Sequence, residues 1–131
     1  MDLVDLKRVL LALGATATLA IFIRTAGTLA ALGEPRTLLF LGWCLLPFAH
    51  LWAFGRDDDP APTRLFLVAA SAIVAVFGVW VYVDVLVLHT TAQSAIAFYI
   101  VPLMQLAVAL PAIGAAWMLR RQTRDGALPS R

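Results

Sequence analysis

The stretch LFLVAASAIVAVFGVWVYV, residues 65–83, contains no charged side chain and decides the fold class of this chain. A membrane-spanning helix needs about 20 predominantly apolar residues. The chain is 62% hydrophobic and 14% charged, whereas soluble domains are roughly 45–50% apolar and 25% charged. A soluble protein of 131 residues could not bury so much apolar surface, so the excess is expected to face lipid.

Three further apolar runs complete the predicted membrane domain, a single unit that covers residues 1–131. Two of these runs carry no charge, whereas the first is interrupted by Arg24 and reaches spanning length only by continuing to residue 32. The predicted spans are residues 9–32, 37–55, 65–88 and 93–119, followed by a short basic tail at 120–131. The sequence therefore predicts an all-α integral membrane protein with four transmembrane helices.

The end of the third span has an alternative interpretation as a β-strand. In VWVYVDVLVLH, residues 79–89, valine occupies every second position from Val79 to Val87, which is typical of a strand. A transmembrane strand must close into a barrel with many partners, and no other segment of the chain alternates in this way. We therefore interpret the stretch as the outer part of a helix that contains Asp84.

Lysine and arginine determine the predicted orientation, because the cytoplasmic side of membrane proteins carries an excess of them. With the N-terminus inside, eight of the ten basic residues lie on the cytoplasmic side, and Arg24 and Arg36 lie outside. We expect both termini in the cytoplasm and the protein in a bacterial inner membrane. Short loops favour an up-down antiparallel bundle. A signal peptide cleaved near residues 28–30 fits less well, because Arg24 precedes that site.

Arg24 and Asp84 are ionisable residues within predicted spans, at similar depth, and such residues are functional candidates. Arg24 continues a face of small residues, Ala12, Thr16 and Ala20, and faces of this kind usually pack against other helices. We therefore predict that Arg24 points into the bundle and forms an ion pair with Asp84. The alternatives for Asp84 are an ion or ligand site and simple exposure at the membrane interface.

A polar vestibule at the outer face is the second candidate site. His89, Glu34, Tyr82 and Tyr99 could line it, although His89 is also explained as an interfacial residue that caps a helix. His50 lies near the inner end of the second span. A haem with two histidine ligands is excluded within one subunit, because a bilayer core of about 30 Å separates His50 from His89.

Charged residues flanking the spans have simpler explanations than ligand binding. Residues 57–59 are three aspartates that could attract Mg²⁺ or Ca²⁺, but consecutive carboxylates on a flexible turn make a poor cage. We interpret them as a solvated loop and predict no metal site. Arg120, Arg121 and Arg124 could hold anionic lipid, yet the positive-inside rule alone accounts for them. Cys44 is the only cysteine, so no internal disulfide is possible.

Prolines lie inside two of the predicted spans, at Pro47, Pro102 and Pro111. Each proline frees a backbone carbonyl four residues upstream and can bend its helix. Gln105 is in the same span as Pro102 and Pro111. We expect its amide to form a hydrogen bond with a freed carbonyl or with another helix.

The sequence contains no motif for a nucleophile, metal or nucleotide cofactor, so we expect neither an enzyme nor a cofactor. The small net charge of +2 gives no reason to expect nucleic acid. The first hypothesis is an accessory subunit or immunity-type binder of a membrane partner, acting through helix contacts. The second is a protomer of an oligomeric channel or transporter that uses Arg24 and Asp84. A third, weaker hypothesis is a lipid or quinone-like ligand in the outer vestibule.

Overall fold

The computed structural model describes residues 2–26, 33–56, 58–88 and 96–126. Within these ranges the chain forms four α-helices: α1 (Leu3–Ala26), α2 (Pro35–Ala53), α3 (Ala61–Val83) and α4 (Ala97–Gly126). A π-helical segment, Asp84–Leu88, continues α3. Each of the four helices is long and apolar enough to cross a membrane. The all-helical prediction is thus confirmed, including the helical interpretation of the valine-rich stretch over residues 79–88.

The first helix begins earlier than the predicted span. It begins at Leu3 rather than at residue 9, and the Asp2 carboxylate accepts a hydrogen bond of 2.6 Å from the backbone N–H of Leu3. Aspartate is a favourable residue at this position because it satisfies a free amide of the first turn. Lys7 is therefore part of the helix. The predicted continuation through residues 27–32 falls outside the described residues.

Contacts at the two ends of the bundle show which helix ends lie together. At one end, here called the proximal end, Asp2 pairs with Arg64 of α3, and Asp59 of the α2–α3 loop pairs with Arg120 of α4. At the opposite, distal end, the Phe22 ring of α1 packs edge-to-face on Phe98 of α4, with the centroids 5.3 Å apart. The starts of α1 and α3 therefore lie together with the ends of α2 and α4.

The closest packing in the bundle does not follow chain order. The most extensive contact is between α1 and α3, and α3 also packs on α4, while α2 packs on α4 and α1 and only slightly on α3. Gly14 allows α1 to approach α3 closely. A Cβ atom at this position would lie 2.8 Å from the Cβ of Ala75 and 2.6 Å from Cε1 of Phe48.

This contact fixes the rotation of α1 and corrects the predicted packing face. Ala12, Thr16, Ala20 and Arg24, predicted to face the bundle, are exposed. Closest approach to α3 needs a position without a side chain, and Gly14 provides it. With Gly14 facing α3, α1 is rotated so that larger residues also point into the bundle. The buried residues of α1 are Val4, Lys7, Leu11, Gly14, Thr18 and Phe22.

Candidate functional site

Arg24 and Asp84 do not form the predicted ion pair with each other in the part of the chain that the structure describes. Arg24 is exposed in the last turn of α1, on the face turned away from the bundle. Asp84 is half-buried and takes part in a different interaction. The predicted pair is therefore corrected, because the rotation of α1 set by Gly14 carries Arg24 outward.

Asp84 lies where the backbone of the third span changes its hydrogen-bonding pattern. Its N–H is directed at both the Trp80 and the Val81 carbonyl, and the π-helical segment follows directly. Short π-helical segments within α-helices are frequent at functional sites. Asp84 therefore stays a candidate functional residue.

Tyr82, one of the residues predicted to line an outer vestibule, lies inside the bundle instead. Tyr82 is completely buried, whereas Tyr99 and Glu34 are exposed, and His89 lies outside the described residues. His50 is exposed, with its Nδ1 atom 2.9 Å from the Leu46 carbonyl oxygen of the same helix.

Tyr82 instead belongs to a chain of hydrogen bonds that links three helices at a proline. Its hydroxyl donates to Sγ of Cys44 at 3.5 Å, and the Cys44 thiol donates to the Phe98 carbonyl at 3.8 Å. The Phe98 carbonyl lies four residues before Pro102, which has no N–H to donate to it. The predicted freed carbonyl therefore receives a donor from α2, and this fastens α2 and α3 to α4.

Gln105 forms the expected contact with another helix. It is 1% exposed, and its Nε2 atom donates to the Val74 carbonyl of α3 at 2.9 Å. Gly78 makes this possible, because a Cβ atom there would overlap the Gln105 amide. The amide therefore fills the space that the glycine leaves on α3.

This fit predicts a compensating pair of substitutions. Gly78→Ala should destabilise the protein by about 1–3 kcal/mol, because it displaces the Gln105 amide from Val74. In a Gln105→Ala background the same change should cost less than about 0.5 kcal/mol, since the obstacle is gone. The measurement is unfolding by SDS titrated into detergent micelles, with Gly114→Ala as the control. Equal costs in the two backgrounds would contradict the described fit.

Sequence reasoning missed a polar cluster at the proximal end. Asp59 was predicted to be solvated but is buried, and its Oδ2 atom accepts hydrogen bonds from Arg120 Nη2 at 2.6 Å and from the Arg56 N–H at 2.7 Å. Asp58 is exposed, as predicted, and residue 57 lies outside the described residues. The guanidinium of Arg120 also lies 5.6 Å from the centroid of the Phe54 ring.

Lys7 is the second residue of this cluster that the sequence did not reveal. It is 2% exposed, and its ammonium group donates to the Phe54 carbonyl at the end of α2. Gly55 adopts a φ of +100°, which favours glycine, and a Cβ there would lie 2.7 Å from Lys7 Nζ. The cluster therefore fastens the α2–α3 loop to both α1 and α4.

Within the described ranges, no three His, Cys, Asp or Glu residues are grouped so that they could hold a metal ion. Several buried polar side chains instead connect one helix to another. They are those of the hydrogen-bond chain, the Gln105 contact and the proximal cluster.

The four apolar helices define the class of this molecule, a helical multi-pass membrane protein. No protein family, curated protein or solved structure matches the chain.

Proposed function

We propose that the protein acts through contacts between its helices and a membrane partner, as an accessory subunit or an immunity-type binder. The observation that carries this proposal is the outward face of α1, where Ala12, Thr16, Ala20 and Arg24 lie beside the larger exposed residues Val9 and Leu13. Small side chains let a second helix approach closely, and such packing drives helix association in membranes. The protein's own bundle leaves this face unused, so it is available to another helix.

Arg24 gives this face a chemical preference. Arginine in a membrane span costs about 2.5–3.5 kcal/mol at the centre and less toward the interface. A partner helix with an acidic residue at the same depth would offset that cost. Two copies of this chain, joined symmetrically along the same face, would bring two Arg24 side chains together. The face is therefore suited to a different protein rather than to a second copy.

The polar interactions inside the bundle support an interaction protein over an enzyme. Gln105, Tyr82 and Cys44 form hydrogen bonds between helices, and Asp59 pairs with Arg120. Side chains used in this way hold the helices in fixed positions. They leave the outer surfaces as the parts available for function.

We also propose an up-down arrangement with both termini in the cytoplasm, in an inner membrane. The grouping of helix ends at the proximal end supports this topology. The proximal end carries Lys7, Arg56, Arg64 and Arg120, whereas Arg24 and Arg36 lie toward the distal end. An excess of basic residues marks the cytoplasmic side.

A protomer of an oligomeric channel or transporter is the second candidate function. Asp84 favours it, because this half-buried carboxylate lies at the start of a π-helical segment. A pathway would then run between subunits, since a single four-helix bundle leaves little room for a pore. Flux that Asp84→Asn abolishes would support this candidate.

Site-specific photocrosslinking in the native host tests the interaction function. A photoreactive amino acid at Thr16 should give one discrete adduct with another protein, whereas the same probe at Ile73, exposed on α3, should not. Thr16→Leu should remove the adduct formed from a probe at Ala20 without changing thermal stability, because Thr16 is exposed. An adduct between two copies would favour the oligomer, and lipid adducts alone would contradict both functions.

A further inference from the structure

An apolar groove opens between α2 and α4 toward the distal end. It has a volume of about 680 Å³, and its lining includes Leu38, Trp43, Leu46 and Tyr99. Gly42 also lines the groove, and a Cβ atom there would meet no heavy atom within 4 Å. The missing side chain therefore leaves space along the surface of α2.

A second groove with polar side chains adjoins the distal end of the apolar groove. Phe40 and Tyr99, whose rings meet edge-to-face at 4.7 Å, line both the apolar groove and this second groove of about 400 Å³. The second groove is also lined by Arg36, Thr25 and Thr37. The apolar groove thus adjoins, across the Phe40–Tyr99 pair, a region with a guanidinium group and two hydroxyl groups.

The start of α2 adds a preference for anions to this region. Arg36 and Thr37 belong to the first turn of the helix, where backbone N–H groups lack intrahelical acceptors and the helix dipole is positive. Phosphate groups commonly bind at helix N-termini. The Glu34 side chain forms no capping hydrogen bond with this turn. The charge of Arg36 and the dipole therefore both favour a phosphate.

The distance from Arg36 to the inner end of the groove is consistent with a lipid chain. From Arg36 to Leu46 the helix rises about 15 Å, at 1.5 Å per residue. This is half of a hydrocarbon core of about 30 Å, which is the depth of one leaflet. A partner helix would need a groove along the whole span, whereas a single lipid chain needs only this length.

We propose that this groove binds an anionic glycerophospholipid of the leaflet at the distal end. Its phosphate contacts Arg36 and the first turn of α2, and one acyl chain lies along Gly42 and Trp43 as far as Leu46. The proposal is independent of the partner at α1, because the residues that line the apolar groove belong to α2 and α4 and include none of the small exposed residues of α1.

Tryptophan fluorescence tests the proposal through Trp43. A protein that retains only Trp43, with the other tryptophans changed to phenylalanine, is placed in vesicles containing brominated phosphatidylglycerol or brominated phosphatidylcholine. Bromine quenches tryptophan on contact. We expect phosphatidylglycerol to bind about fivefold more strongly than phosphatidylcholine at Trp43. This ratio of the two affinities is typical for one arginine near an anionic lipid.

A protein that retains only Trp80 is the matched control. Trp80 is 64% exposed, near the distal end of α3, in a shallow apolar groove formed with Leu13 and Ala17. Its described lining includes no basic side chain, whereas Arg36 lines the groove next to Trp43. Trp80 should therefore show no preference between the two lipids. A ratio near one at Trp43, or the same ratio at both tryptophans, would overturn the proposal.

Two variants separate the phosphate contact from the acyl-chain contact. Arg36→Gln should lower the ratio at Trp43 to about one, and it changes only an exposed side chain. Gly42→Leu should fill the groove and reduce quenching of Trp43 by both lipids, whereas Gly114→Leu, at an equally open position, should leave it unchanged. An unaltered ratio in Arg36→Gln would overturn the phosphate assignment, and unaltered quenching in Gly42→Leu would overturn the acyl-chain assignment.

Discussion

Replacing Gly14 by leucine is expected to prevent formation of the native bundle. A Cβ atom at this position would lie 2.8 Å from the Cβ of Ala75 and 3.2 Å from its Cα, and 2.6 Å from Cε1 of Phe48. The Phe48 ring could turn aside, but Ala75 presents the backbone of α3 itself. A leucine side chain therefore forces α1 and α3 apart along the most extensive helix contact of the molecule.

The expected loss of unfolding free energy in Gly14→Leu is at or above the upper end of the range for overpacked cores. Such substitutions usually cost about 1–3 kcal/mol, and here the neighbouring backbone cannot yield without separating two helices. Gly14→Ala should give a smaller loss, since it adds only the Cβ atom. Folded protein would be measured by SDS titration and by size-exclusion chromatography in mild detergent.

Gly114→Leu is the control for this experiment. Gly114 lies within α4, and a Cβ atom there would meet no heavy atom within 4 Å. Leucine also has a higher helix propensity than glycine, so this variant should be at least as stable as the parent protein. If Gly14→Leu unfolds at the same SDS fraction as Gly114→Leu, the close α1–α3 contact is not present in the membrane protein.

Helix number could be predicted from the sequence because uncharged apolar runs are a local property of the chain. The same property distinguished helix from strand at the end of α3, because no other run of the chain alternates as the strands of a barrel must. The π-helical segment after Val83 has no such local signal. Its hydrogen bonds differ from those of an α-helix only in which carbonyl receives each N–H.

The rotation of α1 could not be predicted because it depends on residues far away in sequence. The row of small residues through Thr16 and the buried row through Gly14 both have helical spacing. The small size of the residues in the first row favoured that face, which is the wrong one. Only the positions of Ala75 and Phe48 decide between them. The error at Arg24 has the same origin, since its direction follows from the same rotation.

The proline effect could be predicted in part. Pro102 showed that a carbonyl on α4 would lose its donor, and the Phe98 carbonyl is that group. The replacement donor, Cys44, belongs to another helix. The sequence therefore predicts which groups need partners but not which residues supply them.

Removing the Asp59 carboxylate is expected to have the second large effect. Asp59 is buried and accepts hydrogen bonds from Arg120, 61 positions away, and from the backbone of Arg56. Removing one partner of a buried ion pair costs about 3–5 kcal/mol, because the remaining charge stays without compensation. Arg120 is partly accessible, so we expect Asp59→Ala to cost about 3 kcal/mol in SDS unfolding.

Asp58→Ala is the matched control, because the neighbouring aspartate is exposed. It should change the unfolding free energy by less than about 0.5 kcal/mol, as surface substitutions usually do. Equal losses in Asp59→Ala and Asp58→Ala would mean that the loop is solvated, as the run of aspartates first indicated.

A double-mutant cycle separates the ion pair from the other contacts of Asp59. Arg120→Gln should leave the buried Asp59 carboxylate with only the hydrogen bond from the Arg56 N–H, so it should also be strongly destabilising. The double variant should then be little worse than Asp59→Ala, with a coupling energy of about 1–3 kcal/mol. Strictly additive losses would show that the α2–α3 loop and α4 are held independently. In that case the proximal end would depend chiefly on Lys7 and its contact with Phe54.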